Sequence, residues 1–107
     1  MKAFSIALIT AAALAANSAA FAVEHTVSQK NKAFAQKTLK AKIGDKVVFR
    51  NDDPFAHNIF SLSDTQNFDL GSFGQGGLKE VVLTKDGKLE IECAIHPEMK
   101  LVVEVSK

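Results

Sequence analysis

An all-β domain, a sandwich or a barrel, is the fold class the sequence predicts. After Ala22 the apolar residues recur with period two, not 3.6. Turn signals separate the alternating runs at short intervals. The 85 residues left after an N-terminal leader suffice for one small domain.

The leader opens the chain. Met1-Lys2 is a short positive start, and Ala3 to Ala16 is apolar apart from Ser5 and Thr10. Ala20-Phe21-Ala22 is a small-x-small cleavage pattern. Residues 1–22 therefore read as a secretory signal peptide, with the domain spanning residues 23–107 and the product exported to the periplasm. The apolar run is shorter than the ~20 residues a membrane span needs, and it lacks a second charged flank. No cysteine follows the cleavage site, so a lipid anchor has no attachment point.

The strands follow in order. Leu39, Ala41 and Ile43 alternate with Lys40 and Lys42, and Gly44-Asp45 separates them from Val47 and Phe49. His57 shares parity with Ile59 at the start of another apolar run. Residues 61–77 carry four glycines and read as a long loop with one short strand around Phe68-Asp69-Leu70. No Gly-Lys-Ser/Thr follows those glycines, which excludes a phosphate loop. Lys85-Asp86-Gly87-Lys88 between Val81-Val82-Leu83 and Leu89-Glu90-Ile91 predicts a tight hairpin. Leu89, Ile91 and Cys93 share one face of a strand, as do Met99, Leu101, Val103 and Val105.

Charge excludes some partners. The exported part carries 12 basic and 12 acidic residues with the signs interspersed. Neither nucleic acid nor an anionic membrane suits such a surface. A single cysteine makes no internal disulfide. In an oxidising compartment a lone thiol is a hazard unless something occupies it, and a metal would.

Chemistry concentrates in Cys93-Ala94-Ile95-His96-Pro97-Glu98-Met99. A thiolate, an imidazole and a thioether stand three residues apart in one loop between two strand ends. Parity aims both sulfurs at the core. With a second histidine they make the ligand set of a blue-copper electron-transfer site. His57 is the one other histidine outside the start of the exported chain. Taken singly, Cys93 reads as a small buried hydrophobe, Met99 as core filler and His57 as a turn histidine. Zinc competes poorly, because structural zinc takes four cysteine or histidine ligands. A Cys93–His96 nucleophile–base pair would make a thiol enzyme, but no orienting group or oxyanion site is recognisable.

Four segments extend these motifs over most of the exported region: Phe34-Ala35-Gln36-Lys37-Thr38-Leu39, Gly44-Asp45-Lys46-Val47-Val48-Phe49-Arg50-Asn51, His57-Asn58-Ile59-Phe60, and Cys93 to Met99. In that order they resemble the cupredoxins of the plastocyanin/amicyanin family. The two-residue gap from His96 to Met99 is similar to the short amicyanin loop. The resemblance implies a Greek-key β-sandwich. It implies one type 1 copper ion on His57, Cys93, His96 and, axially, Met99. Asn58 would brace the ligand loop by hydrogen bonding. It further implies a monomeric, periplasmic one-electron carrier, not an enzyme, whose partners are redox proteins such as a c-type cytochrome and a dehydrogenase. Copper storage or delivery is the alternative. Gln36 stands where many relatives have proline, and Ile91 replaces the aromatic residue found two positions before the cysteine in many plastocyanins. Val23-Glu24-His25, once exposed, would offer an amine, two amides and an imidazole to a second Cu(II), against the favoured alternative that the segment pairs into the first strand and its amides are occupied there.

Overall fold

A computed structural model describes residues 22–107. The expected leader, except Ala22, lies outside the described residues. Nine strands form two facing sheets: β1 (Glu24–Lys30), β2 (Ala33–Phe34), β3 (Thr38–Lys42), β4 (Lys46–Asn51), β5 (His57–Ser61), β6 (Phe68–Phe73), β7 (Leu78–Val82), β8 (Gly87–Glu92) and β9 (Lys100–Ser106). One sheet has the order β2-β1-β4-β7, the other β3-β9-β8-β5-β6. Each contains one parallel pair, β1 with β4 and β3 with β9, among antiparallel neighbours. The architecture is the expected all-β Greek-key sandwich. No helix among the described residues is long and apolar enough to cross a membrane.

Period two builds the core as read from the sequence. Val27, Val47 and Phe49 project from one sheet, and Ile59, Leu89, Ile91, Leu101 and Val103 from the other, all fully buried. Phe34 meets Phe49 edge to face at 6.1 Å between ring centroids. Val48 has the opposite parity yet is buried, because it lies between Thr26 and Glu80 on the outer face of an interior strand. Cys93 and Met99 end two core-facing rows and are both buried.

Three local expectations change. Lys85-Asp86-Gly87-Lys88 does not close a hairpin. β7 pairs with β4 and β8 with β9, so this turn carries the chain from one sheet to the other. Gln66 ties the crossing instead, donating to the Val82 carbonyl and accepting from Thr84 N. An Asp-Gly pair specifies a reversal, not the partner of the strand that follows. Residues 61–77 hold a six-residue strand, β6, antiparallel to β5. Its register slips opposite Ile59/Phe60, where Gly71 takes φ +80, so a bulge hides the strand's alternation. Ile43 falls in the turn after β3, 41% exposed.

Asp45, in the β3–β4 turn, is buried at the sandwich end where chain entry meets this turn. Its carboxylate accepts from His25 Nε2, Lys42 N and Val23 N at 2.9–3.0 Å. These bonds, led by that from His25, lower its pKa from 3.8 to about 2. A carboxyl depressed by folding stabilises fully above its unfolded pKa and loses that contribution as pH falls through its folded one. Between roughly pH 5 and pH 2 the urea midpoint of the metal-free protein is therefore expected to fall, and to fall less in Asp45→Asn.

Candidate metal centre

The site is built at one end of the sandwich from the start of β5 and the β8–β9 loop. Among the described residues, ligand atoms of His57, Cys93 and His96 all lie within 4.8 Å of one another. Cys93 Sγ is 3.8 Å from His57 Nδ1 and 3.8 Å from His96 Nδ1. The two imidazoles meet at 4.9 Å between centroids, tilted by 65°. The loop is closed by Met99 N donating to the His96 carbonyl at 2.9 Å. That bond is why a two-residue gap can return the chain to β9 with Met99 buried beneath it. His57 is fully buried, whereas His96 is half-buried.

The three donors fit a soft transition metal. Imidazole and thiolate hold a first-row ion at roughly 2.0–2.3 Å, so donors subtending about 120° stand roughly 3.5–4 Å apart. The observed separations match. Both histidines turn Nδ1 toward the thiol, so the Nε2 atoms are free for other work. Thiolate plus two imidazoles, with a thioether nearby in the chain, is the donor chemistry of a blue-copper centre.

His57 is oriented by a carboxylate that sequence reading missed. Its Nε2 lies 2.8 Å from Asp53 Oδ2, and Asp53 is 3% exposed. Asp53 also accepts from Asn31 N at 2.8 Å and Lys32 N at 3.1 Å. Those two residues form the β1–β2 turn, both left-handed at φ 56 and 58, which aims their amides at one anion. Asn51 holds the Asp53 backbone through a 2.8 Å bond and spends its amide on the carbonyls of Phe55 and Phe73. Burial pushes the Asp53 pKa up, but the bonds from His57, Lys32 and Asn31 outweigh it and hold the group below the usual carboxylate range. An ionised Asp53 places the His57 proton on Nε2 and leaves the Nδ1 lone pair for a metal. The one available signal was an aspartate four residues before the histidine, next to a proline.

One expected feature is present, beside an exposed apolar patch. Asn58 Oδ1 accepts from Ala94 N at 2.7 Å and braces the ligand loop. Phe55, Ala56, Ala94, Ile95 and Pro97 are exposed around His96. Phe55 touches both imidazoles, 5.4 Å from His57 and 5.3 Å from His96 between centroids. Lys32 Nζ sits 5.8 Å from the Phe55 centroid.

Comparison with known proteins bears on the fold. The chain superposes on a purple cupredoxin from Nitrosopumilus maritimus with TM-score 0.69 and 23% identity, over 77% of this chain and 99% of that one. An amicyanin variant in its reduced Cu(I) form at pH 4 gives TM-score 0.73 and 21% identity, over 82% and 88%. The copper-containing nitrite reductase of Thermus scotoductus gives 0.73 and 26%, over 79% of this chain but only 23% of the enzyme. The chain has the cupredoxin fold. Amicyanin is among the structures it resembles and, in sequence, it is similar to the methylamine utilization protein MauL of Methylorubrum extorquens, 32% identical over 69 residues. Those residues are 64% of this chain and 60% of MauL, so the chain spans less than two thirds of that curated relative. No family model matches.

Proposed function

We propose that this protein is an exported type 1 copper protein that carries single electrons between redox proteins in the periplasm. The convergence of His57 Nδ1, Cys93 Sγ and His96 Nδ1 carries the reading. Copper, when bound, supplies the one-electron Cu(II)/Cu(I) couple. The residues do the rest. Cys93, His57 and His96 would hold the ion, with the Met99 thioether as a weaker donor. Asp53 fixes His57 from behind and Asn58 holds the backbone next to Cys93, so the ligand side chains are kept in place. His96 and Phe55 bring imidazole and aromatic edges to an exposed apolar patch, which suits brief, small redox contacts. MauL's name, a methylamine utilization protein, is consistent with partners in methylamine oxidation; a dehydrogenase as donor and a c-type cytochrome as acceptor are the partners we propose.

A thiol hydrolase has one point in its favour. Asp53, His57 and Cys93 stand in a carboxylate–imidazole–thiol row, which supplies the orienting group that the sequence lacked. Cys93 is 1% exposed and His57 fully buried, so a substrate has no path to the sulfur. Reductive titration discriminates. The carrier takes up one electron per copper, bleaches and regains its colour on reoxidation over repeated cycles. Loss of copper at each reduction would favour delivery instead.

Asp53→Asn tests the carboxylate behind His57. The amide keeps the volume but removes the charge that strengthens Nδ1 as a donor. Cu(II) affinity is expected to fall roughly 10- to 100-fold, the usual cost of losing a partner behind a metal-bound histidine. Cu(I) gains less from a strong donor, so the midpoint potential should rise. Competition titration and voltammetry measure the two effects, and an unchanged pair of values contradicts the role.

A further inference from the structure

The end of the sandwich where β1 begins holds a second polar constellation. Val23 N lies 3.0 Å from Asp45 Oδ1 and is the donor that this oxygen takes. Asp45 Oδ2 takes Lys42 N and His25 Nε2. Lys46 N donates to the Val23 carbonyl at 3.0 Å, so both backbone groups of Val23 are held. An open cavity of about 270 Å³ lies alongside, lined by Val23, His25, Lys40, Lys42 and Ser106 among others. Asp45 itself is 5% exposed and fastened to the core by Leu83 N on its carbonyl. A carboxylate so buried is committed to the donors that face it.

The sequence places the expected cleavage between Ala22 and Val23. Hydrolysis there breaks one peptide bond. Water leaves its oxygen on the new Ala22 carboxylate, and both its hydrogens pass to the Val23 nitrogen. The neutral amide that now faces Asp45 becomes a primary amine, protonated near neutral pH. We propose that Asp45 is a preformed receptor for the α-ammonium group that leader removal creates on Val23. The inference rests on the leader reading of residues 1–22, not on the copper reading. The position that holds one neutral donor then holds a charge-assisted pair, which is the stronger bond. Leader removal thus locks the first residue of β1 against the β3–β4 turn. The same geometry argues against a second Cu(II) at Val23-Glu24-His25. The amine and the imidazole are both spent on Asp45, and the backbone between them is paired with β4.

The test begins with the full chain exported from a bacterial host, with the product's start read by mass. The processed protein is compared with a version carrying Gly-Ser before Val23, which converts the amine back to an amide. His25, Lys40, Lys42 and Lys46, the titratable groups near Asp45, are common to both and cancel. At pH 7 the processed form should show an unfolding constant roughly 3- to 5-fold lower, the scale of a partly exposed pair. The pair raises the amine's folded pKa, so its contribution holds below the unfolded pKa of ~7.7–8.0 and is lost as pH rises through the folded one. The difference should therefore vanish by about pH 10, and in Asp45→Asn. NMR titration of the Val23 amine in the unmutated protein should show the raised pKa without requiring Asp45→Asn to fold. Equal stability at pH 7, a difference that survives in Asp45→Asn, or an unshifted amine overturns the pairing. A product that begins elsewhere overturns the leader reading on which it rests.

Discussion

Cys93→Ser is expected to fold and to lose the intense visible absorption of the copper-loaded protein. The substitution keeps the shape of a side chain that is 1% exposed. The new hydroxyl finds His57 Nδ1 and His96 Nδ1 around it, each within 3.8 Å of the present sulfur, so its burial costs only on the order of 1 kcal/mol. The electronic change is much larger. The colour of a blue-copper centre arises from charge transfer out of a soft thiolate, and a hydroxyl is a hard, protonated donor. Cu(II) would remain on two imidazoles with weak absorption. Circular dichroism checks the fold and visible absorption the site. A folded variant that keeps the intense band contradicts the assignment of Cys93.

Phe49→Ala is expected to cost the metal-free protein most of its stability. Phe49 is fully buried on β4 and meets Phe34 edge to face. Truncating a buried phenylalanine costs ~3–5 kcal/mol in lost burial and residual cavity. A domain of this kind has about 5–15 kcal/mol in total, and small ones lie toward the low end. The site joins β5 to the β8–β9 loop, so metal bound by the folded state alone should restore stability by mass action. At 1,000 times its dissociation constant the gain is ~4 kcal/mol. Urea unfolding with and without copper should show a low midpoint that largely recovers on loading. A midpoint within a few tenths molar of the unmutated metal-free protein would contradict the core described above.

The predictability of these features follows their range in the chain. The Cys93-x2-His96-x2-Met99 spacing puts three donors in one loop, so the loop was legible from residue types. His57 followed because one other candidate histidine remained near a strand start. Asp53 was invisible for a physical reason. Its role depends on the β1–β2 turn, some twenty residues upstream, turning Asn31 N and Lys32 N onto the same carboxylate. Neither Asp52 nor Asp53 announces which of the two turns inward. Strand positions showed through period two, whereas strand partners did not. The parallel pairs β1–β4 and β3–β9 join segments with no local signal of pairing. The turn at Asp86-Gly87 looked like a hairpin because its chemistry reports a reversal and says nothing about which sheet receives the next strand.

In the proposed blue-copper site one copper ion would bind His57, Cys93, His96 and Met99. Titration of the purified protein with Cu(II), followed by visible absorption and electron paramagnetic resonance, is the decisive measurement. An intense blue band is expected that saturates at one equivalent, with the narrow copper hyperfine splitting of a covalent thiolate bond. Weak absorption with the wide splitting of an ordinary Cu(II) complex would contradict it.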